Sequence, residues 1–262
     1  MEGGRKADAG MSEVRTEFHP GHGGASLAVH RMGAGRPVIM LHGLFSSAEV
    51  NWIKYGTAAI LADAGFQAIM PDLRAHGQSA KPHDPADWPH DVLALDLAAL
   101  VHELGLGEYD LVGFSLGSRT SVRGVLNGLT PRRLVPGGMG LEGLSGWSQR
   151  SAHFLAIIDR FGTIPPGDPA YYAQAFMKTM KVDLVAARLL LGSIGDTPAA
   201  ALSAVAMPTL VLCGDEDRDN GSPEALVAAL PNARHGVIPG THMSCVTRPE
   251  LGAAIRDFLL EA

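Results

Sequence analysis

The segment Gly113-Phe114-Ser115-Leu116-Gly117 carries the clearest chemical meaning in the chain. An apolar run from Tyr109 to Phe114 leads into it, and Ser118-Arg119-Thr120-Ser121-Val122 continues in a helical pattern. A serine at such a strand-to-helix junction sits on a strained turn with its hydroxyl lifted clear of the sheet. Its neighbours two residues away must be small, and Gly113 and Gly117 meet that demand. The helix that begins here aims backbone N–H groups at negative charge developing beside the serine. Ser115 is therefore the candidate nucleophile. A chance Gly-x-Ser-x-Gly in a chain with 32 glycines would not come with this strand–turn–helix setting.

A serine hydroxyl is a poor nucleophile without a base. The chain has 11 histidines, so position must select among them. His242 lies on a loop, Gly240-Thr241-His242, after a short strand over Arg234–Ile238 and before the last helix. That is where a base should stand. His83, His90 and His102 lie on or before a surface helix and read as solvated. His19, His22 and His30 lie near the N-terminus, and His153 reads as structural. The base needs a carboxylate to fix its tautomer. Asp215, Glu216, Asp217 and Asp219 crowd the loop after the apolar run 209–213. The Gly-x-x-Asp spacing from Gly214 selects Asp217, and Glu142 is a second candidate.

The chain order is Ser115, Asp217, His242, the Ser–Asp–His order of the α/β-hydrolases. The chain resembles that family over residues 25–260. His42-Gly43-Leu44-Phe45 is similar to the family's His-Gly loop, and Pro71-Asp72-Leu73-Arg74-Ala75-His76-Gly77-Gln78-Ser79 to its D-x-R-x-H-G-x-S segment. The resemblance implies a serine hydrolase of the esterase, lactonase or haloperoxidase-like branch acting on a carboxylic ester or lactone. It further implies an oxyanion hole formed by the backbone N–H groups of Leu44 and Leu116. Two departures stand out. Leu44 replaces a charged or aromatic residue, and Leu116 replaces a frequent Met or Gln. Both suggest an apolar pocket floor. His42, His76, Asp72 and Arg74 read as braces for the rim. Phe45, Trp147 and Phe154 are candidate pocket residues, with Trp52, Tyr171 and Tyr172 as further aromatics. Haloalkane dehalogenation is disfavoured, because it needs an aspartate where Ser115 stands. Carbon–carbon bond hydrolysis, a lyase reaction and a non-turnover ligand receptor remain as rivals.

These residues need a frame that brings them to one edge. Short apolar runs at 37–41, 67–70, 109–114 and 209–213 each end in a Gly- or Asp-containing turn, as strands buried on both faces do. Helical patterns at 47–64, 87–104, 116–129, 223–230 and 249–260 alternate with them. The alternation predicts an α/β fold with a doubly wound, mostly parallel sheet. Right-handed crossovers then put the strand C-termini on one edge, where ligands bind. Residues 1–24 are expected as a disordered or extended tail, with Met11 as an alternative start. Residues 25–139 and 201–262 form the two parts of the core. Between them, 140–200 breaks the alternation and reads as an inserted helical cap, with helices near 154–158 and 182–191. Between 131 and 200 there are 7 Lys/Arg against 5 Asp/Glu, a slight excess that would favour anionic substrates.

Composition sets the outer bounds. With 262 residues, 46% hydrophobic and 18% charged, the chain has the makings of a large buried core rather than a disordered ensemble. Its net charge of −6 and lack of a basic cluster argue against nucleic acid. Cys213 and Cys245 are too few for a disulfide framework. No signal peptide or membrane-spanning run is visible, so a cytoplasmic location is expected, with no membrane partner. No ligand spacing suggests a metal, and no cofactor is implied. The expected partner is a small ester or lactone; oligomeric state is not written in the sequence.

Overall fold

The computed structural model describes residues 13–261. Residues 1–12 of the expected tail lie outside the described residues. Eight strands form one sheet: β1 (Arg15–Pro20), β2 (Ser26–Gly33), β3 (Arg36–Leu41), β4 (Phe66–Pro71), β5 (Asp110–Phe114), β6 (Leu134–Gly137), β7 (Thr209–Gly214) and β8 (Ala233–Ile238). Their spatial order is β1-β2-β4-β3-β5-β6-β7-β8. β2 pairs antiparallel with β1 and β4, and every other pairing is parallel.

The inner parallel strands β3 and β7 read as apolar runs because each faces two helical layers. In β3, Ile39 and Leu41 join one core cluster while Val38 and Met40 join the other. β7 divides in the same way, with Val211 and Cys213 on one side and Leu210 and Leu212 on the other. The first layer holds α2 (Val92–Glu103) and α3 (Leu116–Leu126). The second holds α1 (Thr57–Asp63) and α9 (Pro249–Leu260), which pack on each other.

Several boundaries differ from the periodicity reading. The helix expected over 47–64 is interrupted: a π-helical turn at Glu49–Ile53 ends at Gly56, whose φ of 84° closes the turn before α1 begins. The helix expected from Asp87 starts only at Val92, because Pro85–Asp87 form a 3-10 turn and Asp91 takes a left-handed conformation. β1 occupies part of the expected tail. Its residues are mostly exposed, Phe18 by 59%, and they carry Arg15, Glu17 and His19 on an edge where charge discourages pairing with other chains. β6 is only four residues long and contains Pro136-Gly137, a pair that reads as a turn.

Between β6 and β7 the chain leaves the sheet through α4 (Leu141–Ser145), α5 (Trp147–Asp159), α6 (Tyr171–Thr179) and α7 (Leu184–Ser193). α8 (Pro223–Ala229) then links β7 to β8. The buried Arg119 of α3 fastens this helical excursion to the core. Its guanidinium donates to the carbonyls of Gly143 (2.9 Å), Leu144 (2.6 Å) and Gly195. Among the described residues no helix is long and apolar enough to cross a membrane.

Candidate active site

The strand order reverses on either side of β3, with β4 to one side and β5 to the other. Such a switch point opens a crevice beyond the strand ends. The loop after β3 and the turn after β5 meet there. Ser115 is the turn residue, with φ 54° and ψ −111°. A non-glycine residue rarely adopts this backbone, so the surroundings must hold it. Ser115 N–H donates to Gly137 O at 2.9 Å, and Ser115 O accepts from Arg119 N–H at 3.1 Å. The flanking glycines leave no latitude. A Cβ on Gly113 would stand 2.4 Å from the Gly117 carbonyl carbon, and one on Gly117 would stand 2.0 Å from Leu41 O.

His242 and Asp217 arrive from the other half of the sheet. Asp217 Oδ2 and His242 Nδ1 are 2.8 Å apart, and both side chains are buried. Burial alone pushes the Asp217 carboxyl up. The hydrogen bond and field of His242, the Asp219 amide and the Arg150 charge outweigh it and hold the group below the usual carboxylate range. Asp217 is therefore an ionised acceptor suited to a proton on Nδ1, an arrangement that leaves Nε2 with a lone pair. The other carboxylates of the loop do different work. Asp215 accepts from Gly240 N–H at 2.7 Å and so steadies the loop carrying His242. Asp219 is exposed. Glu142 accepts from Ser222 N–H at 2.8 Å and does not bond His242.

Ser115 and His242 line one cavity of about 440 Å³. Phe114, next to the serine, packs on the imidazole with ring centroids 5.0 Å apart. The Gly138 backbone leaves room for that ring, since a Cβ there would lie 3.0 Å from His242 Cε1. Among the described residues the Ser115 hydroxyl has no side-chain hydrogen-bond partner. It faces the cavity untied, and such contacts commonly tighten only when substrate arrives.

The donors for an oxyanion come from the two loops. Leu116 is the first residue of α3, so its N–H has no intrahelical acceptor. Leu44 lies between two amides that are occupied. Gly43 N–H donates to Asn51 Oδ1 at 3.1 Å, and Phe45 N–H donates to His76 Nε2 at 2.9 Å. Leu44 N–H itself meets no acceptor among the described residues. Phe45, at φ 59°, holds the loop in this contorted shape.

Two buried histidines secure that loop. His42 Nδ1–H donates to Gly43 O at 2.8 Å, and His42 Nε2 accepts from Leu73 N–H at 3.0 Å. His76 Nδ1–H donates to Arg74 O at 2.9 Å. Each needs one nitrogen unprotonated, and each is neutral for the same reason. Burial lowers both pKa values, that of His76 to about 3, with the field of His42 adding to the effect at His76. Asp72 accepts from Ala48 N–H at 2.9 Å and Gln78 N–H at 2.8 Å. Arg74 makes a two-pronged bond to Asp96 at 2.7 and 3.0 Å. All four residues brace the rim.

Of the candidate aromatics, Phe45 and Phe154 line the cavity and meet edge to face, with centroids 5.4 Å apart. Tyr172 lines its mouth and is 82% exposed. Trp147 does not line this cavity. It borders a nook of about 10 Å³ beside Ser115 and stacks on Arg119 at 5.1 Å. Trp52 is buried in the second core layer, and Tyr171 packs against the first. The thiols of Cys213 and Cys245 are buried, and burial pushes them up to about 11 and about 12. They stay protonated and inert. Sequence reasoning missed Asn51, Asn220 and Arg150. Asn220 Nδ2 donates to Gly138 O at 2.7 Å and holds the turn under His242. Arg150 also lines the cavity. The signal for it was the spacing of Trp147, Arg150 and Phe154, which share one face of α5.

Comparison with known proteins agrees with this fold. A family model described as the alpha/beta hydrolase fold matches residues 36–127. The chain is 28% identical over 252 residues to a non-heme haloperoxidase from Rhodococcus erythropolis, covering 83% of this chain and 89% of that protein. It is 33% identical over 102 residues to an epoxide hydrolase from Caballeronia sordidicola, covering 39% of this chain and 30% of that protein. The structure of a thermophilic esterase from Thermogutta terrifontis superposes with a TM-score of 0.69 at 25% identity, covering 94% of this chain and 98% of that one. The chain has the α/β-hydrolase fold that these proteins share.

Proposed function

We propose that the protein is a serine hydrolase that cleaves a carboxylic ester or lactone through an acyl-enzyme on Ser115. The observation that carries this reading is the buried 2.8 Å Asp217–His242 pair opening onto the same cavity as a strained, untied serine. Ser115 Oγ attacks the carbonyl carbon as His242 Nε2 takes its proton. Asp217 stabilises the imidazolium without accepting the proton. The N–H groups of Leu44 and Leu116 receive the oxyanion, and one such donor is worth about 3–4 kcal/mol at comparable sites. The tetrahedral intermediate collapses, and His242 returns the proton to the leaving alkoxide. Water, deprotonated by His242, then releases the acid and restores Ser115. The helical excursion serves as the cap, since α5 and α6 supply Phe154 and Phe176 to the cavity.

The likeness to an epoxide hydrolase does not carry that reaction here. A serine oxygen opening an epoxide would form an ether, which has no carbonyl for water to attack, so the enzyme would stop after one event. The test is hydrolysis of short 4-nitrophenyl esters by wild type and Ser115→Ala. We expect turnover by the first and a loss of at least about 10³-fold in the second. Equal rates in the two proteins would refute the assignment.

A further inference from the structure

Arg150 lies on α5, half-buried, and lines the cavity that holds Ser115 and His242. Its hydrogen bond is to a main-chain carbonyl: Nη1 donates to Asp219 O at 2.8 Å. Among the described residues it forms no ion pair with a carboxylate. This sets it apart from Arg36, Arg74, Arg123, Arg160, Arg188 and Arg234, which all do. The Phe154 ring stacks on it, 5.6 Å from the guanidinium carbon. Burial lowers its pKa and the fields of Asp219 and Asp217 oppose that shift, and a guanidinium keeps its charge in proteins. A partly desolvated guanidinium without a carboxylate has unused donors in a fixed planar fork.

Within the wall a single carboxylate acts on this charge. Asp219 is the carboxylate-bearing residue among the lining, and it is exposed. Lys54 stacks on the outer ring of Tyr55 and is not part of the wall. Arg119 borders the neighbouring nook together with Arg150 and Ser115, and its buried Nε–H has no partner. That nook, of about 10 Å³, is no larger than a water molecule needs, so a ligand can reach Arg150 only from the main cavity. The mouth of that cavity is apolar, formed by Tyr55, Tyr172 and Met243.

We propose that Arg150 is a specificity residue that receives a carboxylate carried by the substrate, so that the preferred substrates are anionic half-esters or carboxylated lactones. The inference rests on the serine hydrolase reading above. The carboxylate bonds the free edge of the guanidinium while the reacting carbonyl lies at Ser115.

The test compares mono-4-nitrophenyl glutarate with 4-nitrophenyl pentanoate, which has the same chain length and no charge. Wild type is expected to favour the glutarate half-ester in kcat/KM by at least about tenfold, the size of one charge-assisted hydrogen bond. In Arg150→Gln that preference collapses, and Arg150→Lys restores part of it. Without any variant, glutarate should inhibit pentanoate-ester turnover competitively, and more strongly than pentanoate does. If wild type cleaves both esters with equal kcat/KM, or if the preference survives in Arg150→Gln, the carboxylate subsite is wrong and the hydrolase reading stands. If neither ester is cleaved and Ser115 resists a fluorophosphonate, the hydrolase reading itself has failed.

Discussion

His76 ties the acid stability of the molecule to the shape of its active-site loop. Its Nε2 accepts the Phe45 amide and its Nδ1–H donates to Arg74 O, so a second ring proton would displace the Phe45 bond. Burial holds its pKa at about 3, against 6.5 for an unperturbed histidine. The unfolded chain therefore binds a proton at this residue before the native state does. The stability it protects is fully present above pH 6.5 and drains away as pH falls from there toward 3. At pH 5 the unfolded ring is favoured by a factor of about 30, which costs about 2 kcal/mol of folding free energy. Urea unfolding at pH 8 and pH 5 measures this. The drop in wild type should exceed that in His76→Gln by about 2 kcal/mol, because the variant has no ring to titrate. NMR of the His76 ring should show no titration between pH 8 and 4.5. A midpoint near 6.5, or equal drops in the two proteins, would refute the argument.

Two further substitutions probe the turn and the charge pair. Gly117→Ala drives a Cβ against the Leu41 carbonyl, backbone against backbone, so α3 must back away from β3. We expect a loss of about 4 kcal/mol or more in thermal unfolding, and a cost below about 1 kcal/mol would show that the helix yields easily. Asp217→Asn removes the charge that holds the His242 tautomer. It should lower kcat by about 10³–10⁴-fold with an unchanged circular dichroism spectrum, whereas a loss under about tenfold would mean that another acid orients the base.

The parts legible in the sequence were those whose role is local. β3, β5 and β7 announce themselves because a strand covered on both faces carries an apolar run along its middle. Gly113 and Gly117 predict the crowding at Ser115, since only backbone fits where their side chains would be. β1 did not read as a strand because an exposed edge has no buried face to impose alternation. β6 is faint in the sequence, because Pro136-Gly137 pair within the sheet but look like a turn. The helical run at 47–64 could not reveal the left-handed Gly56 that splits it. α6 was not anticipated, since its partly buried aromatics show no single stripe. Arg150 is easily passed over for a different reason, although its spacing from Trp147 and Phe154 places it on their helix face. A lone arginine on a helix is usually solvated, and its lack of a carboxylate partner is a property of the folded cavity.

Acylation of the turn serine is the event on which the account stands. Intact-protein mass spectrometry after exposure to a fluorophosphonate reads it directly. We expect one adduct per chain, mapped to the peptide bearing Ser115, with labelling slowed in His242→Gln and abolished in Ser115→Ala. An adduct formed at the same rate in Ser115→Ala, or mapped to another serine, would contradict it.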